Sequence, residues 1–293
     1  YIDIIKNSYS DYWNYIKQSV LMELNWENYF YGLIIISLLV WCLEIVFPWR
    51  KNQSLFRKDF WLDTFYMFFN FFLLNLIVLI ALSNTSAELF NDTLGFIGLK
   101  LSSFQLLELN TFSFPVRILI FFIVVDFVQW WTHRLLHKSE FLWNFHKVHH
   151  SVKEMGFAAH LRYHWMEPVV YNSLKYIPLA IIGGFSAQDV AFVHFFNIAI
   201  GHLNHANINW NYGFLKYIFN NPKMHIWHHA KVLPEERKNG VNFGITLSIW
   251  DYIFKTNYIP YSGRDIELGF ENDEDFPKSF IKQEIYPLGK KNS

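Results

Sequence analysis

Residues 112–150 read FSFPVRILIFFIVVDFVQWWTHRLLHKSEFLWNFHKVHH. The first half, from Phe112 to Trp131, is an almost unbroken apolar run that includes ILIFFIVV. It approaches the roughly 17 to 25 residues that a helix needs to cross a bilayer. The second half carries His133, His137, His146, His149 and His150. A helix leaving an apolar phase therefore delivers a cluster of imidazoles at its end. Asp126 sits seven residues before His133, on the same helical face. A carboxylate inside an apolar span is costly, so Asp126 is expected either to accept an N–H from a metal-holding imidazole or to bond a neighbouring helix.

Toward the N-terminus, two further stretches have the same character. Tyr29 to Pro48 is interrupted only by Glu44, and Phe60 to Leu82 is rich in Phe, Leu, Ile and Val. Toward the C-terminus, Val169 to Gly184 and Gln188 to Leu203 are shorter and are divided by the turn signal GGFS, which reads as a helical hairpin that dips in and returns. Residues 1–28 are mixed polar and aromatic, without the short apolar core of a signal peptide, and read as an amphipathic juxtamembrane segment. Because the chain begins at Tyr1, its native N-terminus is expected further upstream. Residues 29–293 read as one membrane-embedded domain, with the motifs between 126 and 254.

Charge placement orients these spans, since loops rich in Lys and Arg stay cytoplasmic. Arg50, Lys51, Arg57 and Lys58 follow the first span, whereas the stretch 83–111 carries Lys100 against several acids. Arg134, Lys138, Lys147 and Lys153 then follow the third span, which puts the histidines on the cytoplasmic side. Trp26, Tyr29, Trp49, Trp61, Trp130 and Trp131 near the span ends suit the headgroup zone. The expected fold is an all-α polytopic membrane bundle of about four or five membrane helices, the last two a hairpin, capped by cytoplasmic helices. The alternative is a soluble helical protein with a very apolar core. A bacterial inner membrane is favoured; in a eukaryote the ending KKNS, with Lys290 and Lys291, would suit the endoplasmic reticulum.

Composition narrows the chemistry. The chain has 293 residues, of which 52% are hydrophobic and 17% charged, and 25 basic side chains balance 25 acidic ones. No global field favours nucleic acid, and the chain is too apolar to be disordered. The one cysteine, Cys42, allows no internal disulfide or thiolate cluster, so any metal must be held by nitrogen or oxygen. All 13 histidines fall between His133 and His229. Their spacings are His133-x3-His137, His146-x2-His149-His150 and His225-x2-His228-His229. On a helix these spacings share one face. Eight imidazoles on three segments exceed the four that one zinc takes, so two metal ions are the natural reading. No HExxH is present, which removes the main zinc-protease reading. Histidine-rich ligation suits iron, zinc, copper or nickel alike.

The motifs DFVQWWTHRLLH, FHKVHH and MHIWHH, followed by GVNFGITLSIWDYIF, resemble the fatty acid hydroxylase superfamily over about Asp126 to Phe254. The resemblance implies a membrane-embedded centre of two iron ions that uses dioxygen and two electrons to hydroxylate or desaturate a sterol, acyl or ether lipid; zinc could occupy the site as isolated. It implies metal ligation by His133, His137, His146, His149, His150, His225, His228 and His229, with His205 from the returning end of the hairpin. His202 is a candidate partner of His205, and His164, beside Glu167 in LRYHWMEP, a further candidate. Asp126 and Glu167 are the expected acceptors behind the ligands. His160 reads as a neighbour of the site and His194 as a helix-packing residue. Trp130, Trp131, Phe145, Trp165 and Trp227 are candidates to line the lipid cavity.

The sequence has no Gly-rich dinucleotide fingerprint, no cysteine cluster and no haem domain, and the resemblance implies that electrons come from a separate donor protein or a reduced pterin. Lys147, Lys153, Lys223, Lys231, Arg237 and Lys238 could dock an acidic donor. Two rival functions fit histidines beside spans: a metal transporter, and a zinc-loaded lipid-binding protein without redox activity. Transporters place their sites at the bilayer midplane, whereas these clusters lie at helix ends.

Overall fold

A computed structural model describes residues 1–21, 28–75, 77 and 80–288. Trp26 and the KKNS ending lie outside the described residues. The first helix, α1 (Ile2–Leu21), precedes α2 (Tyr29–Val46). Asn28 starts α2: its side-chain oxygen accepts from the Phe30 amide at 2.9 Å, closing a helix start that would otherwise leave donors unpaired.

The expected second span is not one regular helix. It opens as α3 (Phe60–Phe68) and widens into a π-helical turn at Phe69–Leu73. Leu76, Val78 and Leu79 are outside the described residues, and from Ile80 the chain continues as α4 (Ile80–Phe96). The helix thus runs well past Leu82 into the stretch expected to be a loop. The cause is α1, which lies antiparallel along α4: Tyr1 donates to Asp92, Asn84 donates to Ser8 Oγ at 2.9 Å, and Tyr9 donates to the Ile77 carbonyl at 2.6 Å.

The longest helix among the described residues is α5 (Phe114–Lys138), with Pro115 in its first turn, where no N–H is needed. Ser139 both ends α5 and caps α6 (Glu140–His150), accepting from the Leu142 amide at 3.4 Å. One residue therefore turns the chain so that the imidazoles of α5 and α6 face one another. The hairpin follows as α7 (Met166–Ile181) and α8 (Ala187–His205). Ser186 and Asp189 exchange bonds at the start of α8, and Asp189 also pairs with Arg117 of α5. A two-residue parallel ladder, β1 (Leu107–Glu108) on β2 (Ile182–Gly183), pins the hairpin turn. Short helices α9 (Pro222–His228), α10 (Ile249–Ile253) and α11 (Phe280–Glu284) complete the chain.

Among the described helices, α2 and α5 are long and apolar enough to cross a membrane. Both leave large apolar side chains uncovered, among them Leu39 at 61% exposure and Leu119 at 56%. Contiguous apolar surface of this kind asks for a lipid or protein cover. At 16 and 19 residues, α7 and α8 form the shorter hairpin. The main core lies where α2, α3 and α8 meet the turn at Phe157–Leu161, around Leu33, Phe60, Met67, Phe157 and Ile198. Next to it, Asp63 is shared by two buried guanidiniums, Arg57 at 2.5 Å and Arg162 at 3.0 Å. That network ties the start of α3 to the segment beneath the histidines.

Candidate metal centre

Nine histidines form two adjoining groups. His133, His137, His146, His150 and His228 make one, and His149, His205, His225 and His229 make the other; within each, one nitrogen per residue lies within 4.8 Å of all the rest. The two HxxHH motifs are split between the groups. His146 and His150, one turn apart on α6, face the first, while His149 faces the second. His225 and His229 face the second, while His228 returns to the first. Each motif therefore serves both groups, which places them side by side: the His150 and His229 rings stack at 4.4 Å between centroids.

Hydrogen bonds fix which nitrogen of the ring is free. Nδ1 of His133 donates to the Phe243 carbonyl at 2.8 Å, His149 to the Arg162 carbonyl at 3.0 Å, His205 to the Gly201 carbonyl at 2.8 Å and His228 to the Val241 carbonyl at 2.8 Å. His146 Nδ1 faces Glu167 Oε2 at 2.9 Å. A carbonyl or carboxylate can only accept, so Nδ1 carries the proton and Nε2 presents a lone pair. Yet Nε2 of His133 and His146 are 3.2 Å apart, and Nε2 of His149 and His205 are 3.3 Å apart. Neither member of these pairs has a proton to share, so each pair is repulsive unless a cation lies between. Two nitrogens about 2.0–2.1 Å from one ion lie about 2.9 Å apart at a right angle and about 3.4 Å apart at the tetrahedral angle. The observed spacings fall in that interval. Nε2 of His137, His150 and His228 are buried without a partner, as nitrogens aimed at an ion would be, and Nε2 of His229 faces Nε2 of His225 at 3.1 Å. The donor set fits two metal ions held by nitrogen.

Burial also prepares the charge state. Loss of water, and then the neighbouring imidazoles, push His146, His150, His225, His228 and His229 well below the ordinary imidazole pKa. His149 is lowered to about 3. These rings are neutral at pH 7, the form that binds a metal.

The carbonyls that orient the rings are themselves held. The loop 240–244 supplies two of them, and Gly240, at φ +99°, takes a conformation that suits only glycine, with its α-carbon against the His137 ring. Asp251 is fully buried behind this loop. It accepts from the Phe243 and Gly244 amides at 2.8 Å each, from Trp130 Nε1 at 3.1 Å and from Thr256 Oγ1 at 2.6 Å. Sequence reading missed Asp251; its one signal is a carboxylate inside the otherwise apolar SIWDYIF. Gly201 has a related role, because a Cβ there would collide with the His160 ring.

Other expected site residues are placed elsewhere. His202 and His164 lie in neither group. His202 sits between Ser37 Oγ at 3.1 Å and His160 Nδ1 at 3.0 Å, and His164 Nδ1 accepts from the Met166 amide at 3.1 Å. Asp126 touches no imidazole: it accepts from Trp250 Nε1 at 2.8 Å and the Leu247 amide at 3.4 Å, because α10 brings an indole to it first. Glu167 does reach a ligand candidate, His146. His194 packs its ring between Tyr29 and Phe71.

A cavity of about 660 Å³ opens beside the histidines and reaches His133, His146, His149, His205 and His225. Its wall differs from the expected one. Trp130, Trp131, Phe145, Trp165 and Trp227 do not line it; Tyr29, Phe71, Phe72, Tyr163 and Tyr171 do. The tryptophans are occupied structurally, Trp130 on Asp251 and Trp227 on the Tyr261 carbonyl at 3.2 Å. Several of the expected docking cations are likewise paired within the chain: Lys153 with Asp273, Lys231 with Glu274 and Lys238 with Glu235.

Residues 118–256 match the family model for fatty acid hydroxylase. Among curated proteins, an ornithine lipid hydroxylase of Rhizobium tropici is 30% identical over 60% of this chain and 51% of its own length. Human alkylglycerol monooxygenase is 33% identical over 46% of this chain and 29% of its own. A very-long-chain aldehyde decarbonylase of rice is 25% identical over 48% of this chain and 46% of its own. The chain thus spans about half or less of the length of these relatives. No solved structure matches significantly. The matched segment, a fatty acid hydroxylase domain by its similarity, includes both HxxHH motifs and every residue of the two histidine groups.

Proposed function

We propose that this protein is a membrane oxygenase that inserts oxygen into the alkyl portion of a lipid at a histidine-held pair of iron ions. The observation that carries the reading is the juxtaposition of two all-nitrogen groups, interlocked by shared motifs, with an aromatic-walled cavity. Activation of dioxygen for attack on an unactivated C–H bond is chemistry that side chains cannot supply and two iron ions, when bound, would.

The chain's own residues do the rest. The nine imidazoles offer neutral lone pairs, and acceptors behind five of them, His133, His146, His149, His205 and His228, hold those rings at a set angle. Glu167 keeps the Nδ1 proton of His146 in place. The rings of Tyr29, Phe71, Phe72 and Tyr163 make the cavity a poor solvent for water and a good one for an acyl or alkyl chain. Helices α2 and α5 seat the domain in the bilayer, with the histidine side cytoplasmic. Electrons come from a separate protein donor or a reduced pterin. Hydroxylation is favoured over desaturation because the relatives include a lipid hydroxylase and a monooxygenase by name.

The test is lipid profiling of cells with and without the gene, grown under ¹⁸O₂. A lipid gaining one labelled oxygen only when the gene is present is the expected result. Purified protein that binds two metal ions and lipid, yet consumes no dioxygen with any reductant and yields no labelled lipid, would overturn the reading in favour of a non-redox lipid-binding protein.

A further inference from the structure

The cavity contains a charged group that the metal site does not use. Lys175 lies on α7, half-buried on the cavity wall, two turns beyond Glu167 on the same face, with Tyr171 between. Its ammonium sits 6.0 Å from the centre of the Tyr171 ring. From the opposite wall, His194 of α8 is within its electrostatic reach. No described residue gives this ammonium a carboxylate or other acceptor, and the one carboxylate among the described lining residues, Glu167, is already engaged by His146. An unpaired cation on an aromatic wall is costly to desolvate, and an ionisable residue within an apolar hairpin is a functional feature by default.

We infer that Lys175 is the binding site for an anionic head group, a carboxylate or a phosphate, on the alkyl chain that enters the cavity. This rests on the oxygenase reading only for the identity of the chain's other end. From Glu167 to Lys175 is about 12 Å along α7, and from His194 to His205 about 16 Å along α8, at 1.5 Å per residue. The head group is therefore held at one end of the cavity and the histidines face a carbon well down the chain, not the carbon beside the head group.

The full-length, metal-loaded protein in detergent provides the test, with binding followed by native mass spectrometry or tryptophan fluorescence. The probes are hexadecanoate, hexadecyl phosphate and uncharged hexadecan-1-ol. A charge-assisted bond lost at a desolvated site should weaken anion binding by about ten- to a hundredfold. Lys175→Met should lose that factor for at least one anion, Lys175→Arg should keep it, and hexadecan-1-ol should bind all three proteins alike. Whichever anion shows the larger loss names the head group. Unchanged anion affinity in Lys175→Met, in protein that retains wild-type metal content and melting temperature, would overturn the inference. Because binding needs no turnover, the expected pattern in a protein that never consumes dioxygen would leave this site standing while removing the oxygenase reading.

Discussion

Replacing Asp251 by Asn tests whether the loop behind the histidines controls one metal site and not the other. Three donors converge on Asp251 Oδ1, from Phe243, Trp130 and Thr256, and one, the Gly244 amide, on Oδ2. An asparagine keeps its oxygen toward the three and turns its NH₂ toward Gly244, setting donor against donor in a buried site. Losing that charge-assisted bond and orphaning the amide costs about 3 kcal/mol locally. The loop relieves the clash by moving, which shifts the Phe243 and Val241 carbonyls that orient His133 and His228. Disturbing such acceptors typically lowers metal affinity ten- to a hundredfold. Both affected rings belong to the five-histidine group, while the four-histidine group is oriented by the Arg162 and Gly201 carbonyls. Equilibration with graded chelator, followed by metal analysis, should show one of two ions released at roughly tenfold lower chelator than in the parent protein. Retention of both ions at parental affinity, or equal loss of both, would refute this division of labour.

Two further outcomes follow from the geometry. His146→Ala and His149→Ala, three residues apart on α6, should each leave about one metal ion bound but at different groups; each should abolish lipid oxidation while the protein stays inserted, and full metal content in either variant would contradict the split of the motif. The metal-free protein should lose stability on acidification. His149 titrates at about 3 when folded against about 6.5 when unfolded, so between those values the unfolded chain binds the extra proton. Stability is then complete above pH 6.5 and falls by about 1.4 kcal/mol per pH unit for each such histidine as pH drops. Melting temperatures of the metal-free protein that stay flat from pH 7.5 to pH 5 would be incompatible with buried neutral rings.

Local sequence carried a large share of this protein. Helical spacing placed His146, His149 and His150 on one helix, and the spacing of His225, His228 and His229 marked a second, α9, with His229 at its C-cap, because i, i+3 and i+4 lie within about one turn. Apolar run length marked α2 and α5, since hydropathy is additive along a chain. What spacing could not supply is the third dimension. The division of each HxxHH motif between two groups depends on which neighbouring helix faces each ring. Asp126 and Asp251 look alike in sequence, each an acid among apolar and aromatic residues. Asp126 accepts an indole and a backbone amide, while Asp251 gathers four donors behind the His133 acceptor, a difference made by where α10 and the loop 240–244 come to rest. The aromatic wall followed the same rule: the tryptophans nearest the motifs in sequence turned to backbone and carboxylate acceptors, and phenyl and phenol rings from α2, the π-helical turn and α7 lined the cavity. Helix period and hydropathy are set by neighbours in the chain, whereas ligand grouping, buried acceptors and cavity walls are set by residues distant in sequence that only folding brings together.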